Sequence, residues 1–161
     1  MAILKNKGMY LEMLLNNWCE LLCGTGRGII NKVPVNYDLL EVKNNIVSGV
    51  IKSNNNCDYI GIYNGQYVEF EAKETEKETF PLANIKPHQL KKLTQVAQCG
   101  GIAFVVIYFH QYNRFFAVTI TALTTLTTKK IPLSWLEENG IEIFMQNLTL
   151  NLDRLMQQLT T

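Results

Sequence analysis

Asp58, Glu71 and Lys73, two carboxylates and an ammonium, are the residues of this chain most able to do chemistry together. Residues 58–74 read DYIGIYNGQYVEFEAKE, two strand-like runs around Asn64-Gly65. Asn-Gly is the preferred pair for a two-residue type I′ hairpin loop. With Tyr63 opposite Gln66, the register sets Asp58 opposite Glu71. The period of two then puts Glu69, Glu71 and Lys73 on one face with Asp58. Carboxylates facing each other across a ladder at ~5 Å repel, by on the order of 3 kcal/mol at an effective dielectric of about 20. A divalent cation removes that conflict, and a lysine two residues further on completes a hydrolytic site. Alternating Glu and Lys is also the pattern of a solvated face. Yet Tyr59, Ile60, Val68, Phe70 and Ala72 make the hairpin apolar enough for the middle of a domain, where unpaired charge is expensive.

The elements that must hold this hairpin can be read outward from it. Residues 9–22 carry an amphipathic helical stripe of Leu11, Leu14, Leu15, Trp18, Leu21 and Leu22, with Glu12 and Asn16 off it. Gly24-Thr25-Gly26-Arg27-Gly28 lacks the Lys-Ser/Thr ending of a phosphate loop. It reads instead as a helix stop leading into a strand at Ile29–Val35. The Asn-rich stretch 36–57 alternates at Leu39–Val42 and Ile46–Ile51, which fits either a projecting strand pair or an ordinary meander. Beyond the hairpin, 74–86 reads as a charged loop. Pro87 opens a helix with Leu90, Leu93 and Ala97 on its apolar side, and Gly100-Gly101 ends it. Ile102–Phe109 is a continuous apolar run, as for a strand covered on both faces. Arg114–Thr121 is the next strand, and the tail holds helical stretches at Ser134–Glu138 and Leu152–Leu159. Helix, strands, helix, strands, helix implies a mixed sheet flanked by helices.

Composition narrows the class. The chain has 161 residues, 47% of them hydrophobic and 18% charged, which describes one folded domain and not a disordered segment. No apolar run reaches the ~20 residues of a bilayer span, and no secretory leader is read at the N-terminus. The four cysteines (19, 23, 57 and 99) form no C-x-x-C pair, which argues against zinc or a disulfide framework. Cys19 and Cys23, four apart on the first helix, read as small core fillers. A reduced, cytoplasmic protein is expected. Net charge is only +1, but much of the negative charge lies within Glu69–Glu78, so the remaining surface is basic enough to meet phosphates. Lys5, Lys86, Lys91, Lys92, Lys129 and Lys130 belong to that basic remainder.

The ordered set Gly8-Met9-Tyr10-Leu11-Glu12, Asp58-Tyr59-x-Gly61, Phe70-Glu71-Ala72-Lys73-Glu74-Thr75, Phe80-Pro81-Leu82, His88-Gln89 and Gly100-Gly101-x-x-Phe104 resembles the PD-(D/E)xK nuclease superfamily. More narrowly, it resembles the RecU-type Holliday junction resolvases. The resemblance implies an α/β fold with a restriction-endonuclease-like core, residues 1–161 forming one nuclease domain, and a stalk projecting between the first strands within 34–56. It implies an endonuclease dependent on Mg2+ (or Mn2+) that resolves four-way DNA junctions by paired symmetric cleavage in recombination and repair. Such an enzyme works as a homodimer, with a recombinase filament as a further partner and no membrane association. Matching positions take the family's roles: Asp58 and Glu71 as metal ligands, Lys73 beside the attacking water, Glu12 as an accessory acid and Gln89 on the helix behind the site. The backbone carbonyl of Ala72 is a third candidate metal oxygen. Lys7, Arg27, Lys32, Lys43, Lys52 and His88 are the expected DNA contacts. Two features depart from the family: Asn56-Cys57 stands before the aspartate where threonine is usual, and the stalk segment carries only Lys43 and Lys52 as basic residues. The alternatives are a related nuclease with another DNA substrate and a non-catalytic junction-binding protein.

Overall fold

The computed structural model describes residues 8–52 and 55–160. In chain order, helix α1 (Met9–Gly24) leads into strand β1 (Gly28–Lys32). The hairpin β2 (Tyr37–Lys43) and β3 (Ile46–Ile51) follows, then β4 (Tyr59–Tyr63), β5 (Gln66–Thr75) and the short β6 (Thr79–Pro81). A 3-10 turn (Leu82–Asn84) precedes helix α2 (Pro87–Gln98), strands β7 (Ile102–Phe109) and β8 (Arg114–Thr119), and helix α3 (Ile120–Thr124). The tail comprises β9 (Lys130–Pro132), α4 (Leu133–Asn139), β10 (Ile141–Ile143), β11 (Met145–Gln146), β12 (Thr149–Leu150) and α5 (Asp153–Leu159).

Six strands form the main sheet in the order β1-β4-β5-β7-β8-β10. β5 and β7 are parallel and every other neighbouring pair in this sheet is antiparallel. The parallel pair requires a crossover, which α2 supplies. All eight residues of β7 are buried, because helices cover both faces of its centre. On one face Leu14, Leu15, Trp18 and Leu22 of α1 pack with Tyr59, Phe70, Phe104 and Val106. On the other, Leu93 and Val96 of α2 and Ile120 and Leu123 of α3 pack with Val105, Ile107, Phe116 and Val118. No helix among the described residues is long and apolar enough to cross a membrane.

The β4–β5 hairpin forms in the expected register, Tyr63 opposite Gln66 and Tyr59 opposite Phe70. Its turn residues Asn64 and Gly65 both have positive φ, 45° and 83°, as a type I′ loop requires. β1 approaches β4 so closely that a Cβ on Gly61 would stand 2.1 Å from the Ile29 carbonyl oxygen, so only glycine fits there.

Other expectations change in the folded chain. β1 stops at Lys32, before Pro34, and the Val33 amide extends its pairing, donating to the Asp58 carbonyl at 2.7 Å. Within 74–86, Thr79–Pro81 is a strand because it finds β9 as a partner. The strand from Arg114 ends at Thr119, whose hydroxyl accepts the Ala122 N–H and caps α3. Leu21 is 63% exposed, three residues past Trp18 and at the edge of the stripe. All four cysteines are free. Cys23 is exposed, rotated about 40° from the buried Cys19 and placed in the last turn of α1.

The β2–β3 hairpin stands apart. Among the described residues it pairs only with itself, it turns at Asn44-Asn45 in positive φ, and all thirteen of its strand residues are exposed. Of the two arrangements open for 36–57, the chain adopts the projecting strand pair.

Candidate active site

Asp58 lies one residue before β4, where the β4–β5 ladder gives way to side-chain bonds. Its Oδ2 accepts the Ala72 N–H at 3.1 Å, and its own N–H donates to Glu71 Oε2 at 3.2 Å. Glu71 is fully buried, and its Oε1 receives Lys73 Nζ at 2.6 Å and Gln89 Nε2 at 2.6 Å. Gln89 also accepts the Lys86 N–H at 2.9 Å through Oε1, so one side chain caps α2 and fixes it over Glu71. Beneath them, Tyr59 stacks on Phe70 at 4.7 Å and Phe70 on Phe104 at 4.6 Å, a rigid floor running across three strands.

The solvated-face alternative therefore fails. Glu69 and Glu71 are both at 0% exposure, and the Lys73 side chain is only 21% exposed. Glu69 receives the Cys57 N–H at 2.8 Å and the Tyr67 hydroxyl at 2.8 Å, with Lys92 Nζ at 3.8 Å. Burial, and then the nearby Asp58, push the Glu71 carboxyl up to about 7, against the opposing pull of Lys73. Burial and then Glu71, Glu69 and Asp58 push the Cys57 thiol well above its ordinary range, so it is no nucleophile.

A cleft of about 320 Å³ opens beside Asp58 and Gln89, lined also by Cys57, Lys86 and His88 and by Val33, Ile51 and Lys52 at the root of the β2–β3 hairpin, while Ala72 and Lys73 line a neighbouring hollow of about 470 Å³. A roomier hollow of about 800 Å³ lies between α1 and the C-terminal segment, lined by Trp18, Arg27, Asn147 and Asp153 but not by Asp58. The smaller cleft is the one with the chemistry.

The donor set suits a hard divalent cation. Among the described residues no three His, Cys, Asp or Glu side chains gather at one point. Magnesium, however, keeps several waters and takes one or two carboxylates from protein. Asp58 and Glu71 would supply that number, and Glu71 is buried against a like charge that a cation would neutralise.

The remaining expected residues are placed as follows. Glu12 belongs to α1, which covers the other face of the sheet, and forms an ion pair with Lys32. Lys52 is joined to Asp38 at 2.6 Å, near the cleft, and Lys43 sits at the tip of the exposed hairpin. His88 is an exposed residue of the cleft wall. Arg27 precedes β1 at the opposite end of β4 from Asp58, about 17 Å along the strand, and pairs with Asp153 at 3.2 Å. Lys7 falls outside the described residues. The period of two places Glu69 on the face it occupies in the folded chain but assigns it no role. The signal was the repeat Tyr67, Glu69, Glu71, Lys73, four polar side chains on one face of an otherwise apolar strand.

Comparison with known proteins bears on the family and the fold. The family model "Recombination protein U" matches residues 6–158. A Holliday junction resolvase RecU of Ureaplasma parvum is 35% identical over 143 residues, covering 86% of this chain and 84% of the relative. Another, from Lactococcus lactis, is 33% identical over 155 residues, covering 89% and 73%. Among solved structures, Archaeoglobus fulgidus Hjc, a Holliday junction resolvase, superposes with a TM-score of 0.52 at 17% identity, over 84% of this chain and 95% of that one. That likeness extends to the fold, a restriction-endonuclease-like mixed sheet between helices. With a family model spanning nearly its whole length and relatives above 30% identity, the chain belongs to the RecU family.

Proposed function

We propose that this chain is a structure-selective endonuclease that resolves four-way DNA junctions, with Asp58, Glu71 and Lys73 at the site of cleavage. One observation carries the assignment of the site. A buried carboxylate, a second carboxylate and a lysine meet at the end of one hairpin, inside a chain of the RecU family. A scaffold that only bound junctions would gain nothing from opposed acids in its interior.

The resolvase class depends on divalent metal, and Mg2+ or Mn2+ is the proposed ion here. Asp58 and Glu71 would hold it, with the Ala72 carbonyl as a third oxygen. The chemistry such an ion supplies is polarisation of the scissile phosphate and a lowered pKa for a bound water. Lys73, whose ammonium already lies against Glu71, stabilises the charge that grows on the phosphate or orients the nucleophile. Gln89 holds Glu71 in place and ties it to α2. For Glu12 to act as an accessory acid it must first release Lys32.

The remaining parts of the reading are proposals of the same kind. Residues 1–161 form one nuclease domain, and the β2–β3 hairpin within 34–56 is the stalk that enters the junction. Its root lines the same cleft as Asp58, which supports a shared substrate. Lys43, Lys52 and His88 would meet phosphates near that root or tip, Lys32 would do so beside the root and Arg27 at greater distance, with Lys7 as a further proposed contact. A homodimer presents two sites of matching orientation, and exposed Met9 and Met13 of α1 with Phe144 and Met145 nearby offer apolar surface for it. A recombinase filament remains a proposed partner. Work on DNA in bacteria like the relatives above implies the cytoplasm.

The test is cleavage of an end-labelled four-way junction beside a matched linear duplex, with and without Mg2+, using Lys73→Ala as control. Paired symmetric nicks on the junction alone, dependent on metal and on Lys73, are expected. Equal cutting of both substrates would indicate another nuclease, and binding without cutting would indicate a scaffold.

A further inference from the structure

We infer that Glu69 is a positioning residue for the catalytic aspartate, acting through the backbone of the segment that carries it. This rests on the reading of Asp58 and Glu71 as metal ligands. The segment leaves the sheet at Asp58: the Val33 amide makes the last bond of the β1 side, to the Asp58 carbonyl, and β4–β5 backbone pairing ends at Tyr59–Phe70. Beyond that point two consecutive amides are held by side chains of β5. Asp58 N–H goes to Glu71, and Cys57 N–H goes to Glu69 Oε1 at 2.8 Å. Cys57 is 1% exposed and Glu69 0%, so water cannot replace the bond.

Glu69 is itself fixed from two sides. The Tyr67 hydroxyl donates to Oε2 at 2.8 Å, and Lys92 Nζ approaches from α2 at 3.8 Å. Every restraint on this carboxylate is spent on holding one amide, and that amide belongs to the residue immediately before Asp58. Losing the acceptor leaves a buried N–H unpaired. The segment must rotate to find a partner, and it carries the Asp58 carboxylate with it. Groups that orient metal ligands without touching the metal typically change its affinity by about 10–100-fold.

The experiment uses the full chain and two readouts, Mn2+ affinity by titration calorimetry and the Mg2+ concentration giving half-maximal junction cleavage. Glu69→Met removes both acceptors at similar volume. It should weaken Mn2+ binding at least about tenfold and raise the Mg2+ requirement in parallel, with the rate at saturating Mg2+ and junction affinity in EDTA little changed. Glu69→Gln keeps an oxygen for the Cys57 amide and should restore most of the affinity. Tyr67→Phe, a mild change at a 44% exposed residue, should cost about two- to fivefold. A Glu69→Met protein that melts earlier yet binds Mn2+ like the parent overturns the inference, leaving a purely structural acid. If that variant does not fold, parental affinity in Tyr67→Phe has the same force. Failure of the parent protein to bind Mn2+ or cleave would overturn the metal-site reading itself, and this inference with it.

Discussion

Replacing Asp58 by asparagine should abolish cleavage and make the metal-free protein more stable. The two carboxylates stand across the end of one ladder, ~5 Å apart by strand geometry. At an effective dielectric of about 20 their repulsion is on the order of 3 kcal/mol. Lys73, at 2.6 Å from Glu71, already offsets part of it. The substituted asparagine can still accept the Ala72 N–H through its amide oxygen and can turn its NH2 toward Glu71. A net gain of about 1–2 kcal/mol remains, or roughly 3–6 °C in Tm for a chain of this size. The gain also depends on pH. The Glu71 carboxyl is raised from 4.5 to about 7, so the folded parent binds a proton that the unfolded chain releases. The parent's stability is therefore lost as pH rises from 4.5 through about 7, and the advantage of Asp58→Asn grows over that window. Thermal melts in EDTA at several pH values read this directly. Adding Mg2+ should reverse the order, raising the parent by about 2.7 kcal/mol at a hundredfold excess over Kd and the variant far less. A variant that melts below the parent in EDTA above pH 7 would refute the reasoning, because Asp58 would then be holding the fold together.

Three further outcomes follow from single contacts. Lys73→Met should reduce junction cleavage by about a hundredfold or more while leaving binding in EDTA within about twofold, as read by single-turnover cleavage and gel shift; an equal loss in both would make Lys73 a DNA contact. Gly61→Ala puts a Cβ 2.1 Å from a backbone oxygen, so a loss of about 4 kcal/mol or outright misfolding is expected in denaturant titration. Arg114 grips Glu142 at 2.7 and 2.8 Å and holds that carboxyl below its usual range. Its contribution is present above the unfolded-state value near 4.5 and is lost as pH falls through the lowered one, so Arg114→Met should be the weaker protein at pH 7 and lose that deficit in acid melts.

What could be read from the sequence was local or strongly periodic. The hairpin register followed from Asn64-Gly65 and a period of two, neither of which needs a tertiary partner. Pro87 and Gly100 marked both ends of α2 because each has a fixed backbone preference, and Gly100 does adopt positive φ, 81°. The short pieces were hidden for the opposite reason. β6, β9 and β10 have three residues each, and they are strands only because distant segments lie beside them, while β11 and β12 are two-residue strands paired with each other across Asn147-Leu148. Val118-Thr119-Ile120-Thr121 favours a strand by its branched side chains, yet the Thr119 cap turns the chain into α3. At the site, the face of Glu69 was legible and its partner was not. Nothing in the spacing of Cys57 and Glu69 says that one residue's amide will end against the other's carboxylate.

The strand end explains how such acids are tolerated. Continued regularly, β4 would pair its backbone with β5 past Phe70. Instead, Glu69 and Glu71 take the amides of Cys57 and Asp58, and Asp58 takes the amide of Ala72. Three carboxylates thus replace a stretch of ladder. Each is stabilised by an N–H that would otherwise be buried without a partner, which partly compensates for removing the acids from water. The backbone is freed to leave the sheet, and the carboxylates are held in fixed orientations at the end of the hairpin. In this chain the bonds that end the strand and the bonds that orient the site are the same bonds. Mutations here should therefore separate into those that remove a charge, and gain stability, and those that remove an acceptor, and lose it.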